Sequence, residues 1–416
     1  MRLASYHKYT PLAIICLLIG CGVISAAQDE PRIIKVIGTG KAEGMPIVTA
    51  WFTTEPSTDP IIIPTRAFGG VTSCDIVRVM RLYFPRTYEG LLDYEFYFMA
   101  QVDMQFFGPK EEKWLYDALI EHQKGAVNTR SVMSGGSRLN IPWRDSILSQ
   151  AFPNNAPAAI ANLGKGQAGR LVIDNRAEIP NIMKAFKEPI ESIFGRYSGL
   201  YTVPKPGSVI LSYTENQAGL GHPIPGQIAH VFYWRWNRSI TFTFQDMVYN
   251  AFWSSVYSGG QSNPYALDII ANIVWFSTGR ELPADPWKVH DFRRDLFDFR
   301  IRKSLLLSLL DFAEGFGANP SREYEHLAQI EASRSKASDF YLDGDFDGAY
   351  SEMKYALDRV SEIEAEATEL KNRALLWVYV VEWTVTTGVF LLAGFVLWTL
   401  MVKRALYREV GQTRGI

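Results

Sequence analysis

The sequence predicts an α/β domain with a mostly parallel sheet and helices on both faces, then an α-helical stalk and one transmembrane helix. Three observations carry this expectation. Short apolar runs alternate with amphipathic ones from residue 33 to about residue 286, composition turns helical beyond that point, and residues 383–402 carry no charge. The bulk properties agree with a chain that buries cores: 416 residues, 47% hydrophobic and 21% charged, which excludes disorder, collagen and a disulfide scaffold. A formal net charge of −2 supplies no electrostatic footprint for nucleic acid, so none is expected as a partner.

At the N-terminus, Arg2, His7 and Lys8 precede an uncharged run over 11–27 that closes in Ser25, Ala26 and Ala27. A charged start, an apolar centre and small closing residues read as a secretory signal over 1–27, cleaved after Ala27. Two alternatives stand beside it. Leu18-Ile19-Gly20-Cys21 resembles a lipoprotein box that would lipidate Cys21, and the segment would also serve as an uncleaved anchor. Cys16 and Cys21 belong to this segment, which leaves Cys74 alone in the exported part and no intramolecular disulfide there.

The run 33–38 reads as the first strand, followed by strands at 47–53, 95–102, 126–133, 171–174 and 208–213. Helices are expected at 73–83, 109–124, 145–151 and 179–194. Runs 227–236 and 239–244, separated by Asn237-Arg238, read as a hairpin. Asn263 caps a helix over 265–278 that Gly279 ends. This α/β domain is assigned to 28–286 and the helical stalk to 287–376.

Within the stalk, helices are expected at 290–316 and 321–342, with Asp343-Gly344-Asp345 turning the chain into a much longer third one. Along it Ala349, Met353, Ala356, Val360, Ile363, Ala367, Leu370, Ala374, Trp377 and Val381 alternate in steps of four and three, a heptad seam. The preceding helix has a matching row, so an antiparallel hairpin with one tetratricopeptide-like turn is expected, and self-association is the other use of the seam. The seam passes into the transmembrane helix, assigned to 377–402. Trp377, Tyr379 and Trp383 mark its outer end and Trp398 its inner one. Lys403, Arg404, Arg408 and Arg414 follow against Glu409 alone, which places the basic tail, 403–416, in the cytoplasm and the rest outside the plasma membrane.

Leu91-Leu92-Asp93-Tyr94-Glu95 before a strand, Lys110 to Leu115 opening a helix, a strand ending in Met133-Ser134-Gly135-Gly136-Ser137, and Asn272 to Arg280 as a closing helix resemble the class I glutamine amidotransferase-like superfamily, in its trehalose-utilisation-protein branch. That resemblance implies a flavodoxin-like sheet over about 33–286. It also implies a nucleophile elbow at 133–137 with a histidine partner. The elbow holds no cysteine, and His222-Pro223 is followed by Ile224 where the family has an acid. Glutaminase chemistry is therefore not expected, and neither is a cofactor. Gly135 and Gly136 become candidate ligand-binding backbone, and Ser134, Ser137 and His222 the candidate catalytic set of an alternative amide or glycan hydrolase.

Other residues invite narrower readings. Cys74 lies in the first turn of a predicted helix, a position for a reactive thiol or a small core residue. His222, His230 and Glu215 fit no strong zinc spacing. Trp234, Trp236, Phe242 and Phe244 alternate along the hairpin, which places them on one face as core, with Trp234 and Trp236 the candidate platform for a glycan or small molecule. Asn237-Arg238-Ser239 is a glycosylation sequon, and Glu382 borders the apolar stretch. The function expected is a cell-surface binding or assembly protein, with the bilayer and a second copy or membrane partner as its neighbours.

Overall fold

A computed structural model describes residues 33–66, 70–129, 146–155, 169–195, 203–215, 227–246, 248, 252–253 and 263–413. The chain opens with β1 (Ile34–Lys41), α1 (Met45–Thr54), β2 (Thr58–Arg66), α2 (Ser73–Tyr83), α3 (Tyr88–Leu92) and β3 (Phe96–Ala100). It continues through α4 (Pro109–Glu121), β4 (Gly125–Thr129), β5 (Asn154–Asn155), β6 (Arg170–Ile173), α5 (Lys187–Ile193), β7 (Val203–Pro204), β8 (Val209–Glu215), β9 (Ile228–Trp236) and β10 (Ser239–Phe244). Then come α6 (Ala266–Thr278), α7 (Pro286–Gly315), α8 (Ser321–Leu342) and α9 (Phe346–Thr413). Eight strands form one sheet in the order β2-β1-β3-β4-β10-β9-β8-β6. The pairings from β2 to β10 are parallel, and those from β10 through β9 and β8 to β6 are antiparallel.

The alternation of side chains along each strand sorts the core into two clusters. Ile34, Val36, Phe96, Phe98, Val127, Phe242 and Phe244 join Trp51 and Phe52 of α1 and Ile269, Ile270 and Ile273 of α6. Ile37, Ile63, Tyr97, Met99 and Ala126 join Ile76 of α2 and Leu115 and Leu119 of α4.

Four elements differ from the sequence reading. The run 47–53 is helical in α1, because Pro46 suits a first turn and Met45, Val48 and Phe52 bury one face at helical spacing. Strand β2, with Pro60 and Pro64, is invisible to a rule that removes proline from strands. It is tolerated because β2 lies at the edge of the sheet, where one side of the ladder needs no donor. The predicted helix at 145–151 is a 3-10 turn over Ile147–Ala151, and only Lys187–Ile193 of the predicted 179–194 is α-helical.

The stalk is a three-helix bundle. Lys336 pairs with Glu352 and His326 with Glu366, so α8 runs antiparallel to α9. Lys288 pairs with Asp347, and Arg302 Nη1 donates to Ser361 Oγ at 2.8 Å, so α7 runs parallel to α9 with a constant offset of 59 residues. Between them Ala349, Met353, Ala356, Val360, Ile363 and Ala367 are all buried. Helix α9 has 68 residues, about 100 Å, and its C-terminal part is long and apolar enough to cross a membrane, with none of that part buried.

The bundle meets the α/β domain at Arg293 of α7, which is 2% exposed. Its Nε donates to Glu55 Oε2 at 2.7 Å, Nη1 to Asp268 Oδ1 at 2.8 Å and Nη2 to the Tyr341 hydroxyl at 2.8 Å. Burial works against the guanidinium charge, but Glu55, Tyr341 and Asp268 outweigh it and hold Arg293 protonated above the usual arginine range. Arg293→Ala is expected to cost about 3–5 kcal/mol, because two buried carboxylates lose their cation. Urea unfolding of the purified chain measures this, and a loss under about 1 kcal/mol contradicts it.

Candidate functional site

Because β2, β1, β3, β4 and β10 point the same way, their carboxyl ends form one edge, the position where open α/β sheets bind ligands. Polar side chains collect there. Thr65 near the end of β2, Gln101 after β3, Asn128 and Thr129 at the end of β4, and Gln245 and Asp246 after β10 are each at most 4% exposed. Among the described residues, Thr65 Oγ1, Gln101 Oε1, Thr129 Oγ1 and both side-chain polar atoms of Gln245 have no hydrogen-bond partner. A buried polar atom left unpaired costs about 1–3 kcal/mol, so a core built for stability alone would not gather them.

The backbone is also unusual at this edge. Gln101 has φ 56°, a left-handed conformation for a non-glycine residue, while its N–H donates to Thr129 O at 2.9 Å. Beside it, a Cβ at Gly40 would lie 2.1 Å from Ala100 O, so β1 and β3 approach too closely there for any residue but glycine. That place is where the strand order changes direction.

Next to this row is a hydrogen-bonded chain of three. Ser212 Oγ lies 2.9 Å from His230 Nδ1, and His230 Nε2 lies 2.6 Å from Asp246 Oδ2. Ser212 sits at a bulge in β8, which turns its hydroxyl toward His230. Ser212 and His230 are 0% exposed, and Phe252 stands 4.5 Å from the imidazole, edge to face.

The sequence-derived candidates fall in several places. Ser134, Gly135, Gly136, Ser137 and His222 lie outside the described residues. Glu215 pairs with Arg170, and among the described residues no group of three His, Cys, Asp or Glu side chains could hold a metal. Cys74 is exposed in the first turn of α2, beside a capping box made by Thr72 and Asp75. Asn237 occupies the hairpin turn, exposed and with φ 51°.

The four hairpin aromatics do not share a face. The two-residue turn pairs Trp236 with Ser239, so Trp234 stands opposite Thr241 and Tyr233 opposite Phe242. Opposed residues point the same way, hence the tryptophans and the phenylalanines project from opposite faces. Trp234 and Trp236 stack at 4.8 Å, and Lys205 Nζ stands 4.8 Å from the Trp234 ring. Trp234 Nε1 also donates to Ala151 O and Thr241 Oγ1, both at 2.9 Å. With a ring on one side and a cation on the other, Trp234 offers no open face to a sugar.

A concavity of about 750 Å³ lies at the opposite end of the sheet from the polar row. Ser57, Trp275 and Tyr341 in its lining are committed to the Arg293 junction, since Trp275 Nε1 donates to Ser57 Oγ at 2.8 Å. Sequence reasoning did not single out Gln101, Ser212, Gln245 or Asp246. The available signal was a polar residue directly after an apolar strand, as in Phe-Met-Ala-Gln101 and Phe244-Gln245-Asp246.

Lys205 supplies a measurable electrostatic handle. It donates to Ser149 O and Phe152 O, each at 2.7 Å, and burial pushes its ammonium down to about 8. The unfolded chain therefore binds more protons at this site between about pH 8 and pH 10.5, so the Lys205 contribution to stability rises with pH through that window. The melting temperature of the parent chain relative to Lys205→Met should increase from pH 7.5 to 9.5. A difference that stays flat contradicts the burial of the charge.

No protein-family model and no curated protein matches this chain. Among solved structures it is similar to a cytoplasmic protein from Salmonella typhimurium, at 12% identity and a TM-score of 0.41, with 59% of this chain and 99% of that one covered. At that level the likeness carries no argument.

Proposed function

We propose that this is a single-pass surface protein whose α/β domain binds a small polar ligand at the carboxyl edge of its sheet and performs no glutamine hydrolysis. The observation that carries the reading is the row of buried polar atoms without partners among the described residues, Gln101 Oε1, Thr129 Oγ1 and the Gln245 amide, around a strained backbone. Donors and acceptors of both kinds suit an uncharged ligand rich in hydroxyl or amide groups. The strand order β2-β1-β3-β4, continued by β10, supports the flavodoxin-like assignment and hence the amidotransferase-like resemblance. The unburied apolar part of α9, followed by Lys403, Arg404, Arg408 and Arg414, supports a plasma-membrane span with the C-terminus inside.

Two measurements test this. Trehalose and L-glutamine, added in millimolar excess to the detergent-solubilised chain, should raise its melting temperature for at least one of them, and Gln245→Leu should abolish the shift without lowering the basal value. Release of ammonia from glutamine, or no shift with either probe, counts against the reading. For topology, external protease on intact cells should remove the α/β domain and leave the tail protected.

A second reading, surface hydrolysis of an amide or glycan, draws support from the order Ser212, His230, Asp246. Asp246 accepts from Nε2, which leaves Nδ1 to accept the Ser212 proton, the charge order of a hydrolase triad with the ring nitrogens exchanged. The full burial of Ser212 weighs against it and favours a strut that holds the β8 bulge. Ser134, Ser137 and His222 remain its other candidates. Covalent labelling of a serine by a fluorophosphonate would decide for hydrolysis and identify the residue.

A further inference from the structure

The bundle ends at a definite level on α9. Ala374 is its last buried residue at 6% exposure, and Leu376, Trp377, Tyr379, Val380 and Val381 beyond it are exposed. These residues open an apolar stretch longer than a hydrocarbon core requires. Between Arg373 and Lys403 the single charged side chain is Glu382, so residues 374–402 cover about 43 Å, close to the roughly 40–45 Å of a bilayer with its headgroups. Centring the hydrocarbon on this stretch puts Trp377 and Tyr379 at one boundary and Trp398 at the other, where aromatic rings prefer to lie. Glu382 then sits about one turn inside the outer boundary, and its side chain leans toward the helix N-terminus, which is the direction of the headgroups.

The helical register brings a second element to that level. With α7 parallel to α9 at an offset of 59 residues, Phe316 stands level with Leu375 and Phe312 with Lys371. Both phenylalanines are exposed, at 41% and 44%, and they pack on each other at 4.7 Å. They sit at the tip where α7 turns into α8, a turn made at Gly317 with φ 84° and closed by Tyr324 donating to Asp311 at 2.9 Å. Water at the level of Phe316 would face this aromatic pair and the apolar collar of α9 that opens at Leu376, just past the charged Lys371 and Arg373.

We infer that the tip between α7 and α8 is a second membrane contact, with Phe316 seated in the outer headgroup layer of the bilayer that α9 spans and Phe312 packed on it at the water-facing rim of that layer. The inference rests on the membrane reading of α9. Its consequence is mechanical: one helix alone can tilt and rotate, whereas a helix and a tip fixed at the same depth hold the stalk at a set angle. The tip carries Asp311, Glu314, Glu323 and Glu325 against Arg322, so the lipid it suits is zwitterionic rather than anionic.

The test uses the full chain with Cys16, Cys21 and Cys74 replaced by Ser, reconstituted in phosphatidylcholine nanodiscs, and a nitroxide on a single introduced cysteine. Oxygen and a water-soluble nickel chelate report depth through their collision rates. With Phe316→Cys the ratio of oxygen to nickel collisions should exceed that of Ile301→Cys, higher on the same helix, several-fold, and should remain below that of Phe390→Cys in the middle of the span. A label at Glu314→Cys should lose its lipid contact when Phe312 and Phe316 are both Ser, exposed changes that leave the fold intact. A water-like ratio at 316 with a lipid-like one at 390 overturns the tip contact and leaves the span standing. A water-like ratio at 390 removes the span and the tip contact with it, and spin–spin broadening at 316 would assign the tip to a second copy and overturn the inference.

Discussion

The structure depends on one buried cation. Arg293 on α7 joins the C-terminus of α1 through Glu55, the first turn of α6 through Asp268 and the end of α8 through the Tyr341 hydroxyl. The Glu55 carboxylate is held in turn by the Ser57 hydroxyl at 2.6 Å and the Ser57 N–H at 3.1 Å, while Asp268 also meets His290 Nδ1 at 2.7 Å. A guanidinium is the one side chain that can satisfy three partners in a plane while staying charged at nearly complete burial. Such a network contributes less net stability than its distances suggest, because desolvation of the ions offsets most of their attraction. What it does set is geometry, since few other relative placements of bundle and sheet would satisfy all three partners.

That geometry separates the two ends of the sheet. Ser57 leads into β2 and Ser277 of α6 crowds Gly125 at the start of β4, so the junction lies at the amino ends of the parallel strands. The polar row of Gln101, Thr129 and Gln245 lies at their carboxyl ends. A candidate ligand site thus sits across the sheet from the stalk, and the stalk is left free to pack as a bundle. The bundle is tight because its seam uses small residues: Ala349, Ala356, Ala367 and Ala374 let α7 and α8 approach α9 closely, and all four are buried.

The same residues show how the seam divides. Read as one heptad row, Ala349 to Val381 look equivalent. In the structure the row is covered as far as Ala374, whereas Trp377 is 69% and Val381 54% exposed. The partner helix α8 is too short to account for burial at Ala374. Helix α7, parallel to α9 and 30 residues long, reaches that level, and its packing against α9 is a long-range contact that no periodicity within α9 encodes.

By itself the sequence determined what local patterns can determine: an alternating α/β region, three stalk helices with bounds close to those observed, and an apolar stretch long enough to cross a membrane. Each follows from a repeat of two or of three to four residues, or from a run of uncharged ones, and those signals need no partner. Only the tertiary structure decided the rest. It made 47–53 a helix, because burial against the sheet outweighs strand propensity. It also admitted a proline-bearing β2 at an edge and put the hairpin tryptophans and phenylalanines on opposite faces, because a two-residue turn pairs even positions with odd ones. The polar row and the Ser212, His230, Asp246 chain were invisible for the same reason. Their members lie between one and about 180 residues apart in sequence, and only the order of strands in the sheet brings them to one edge.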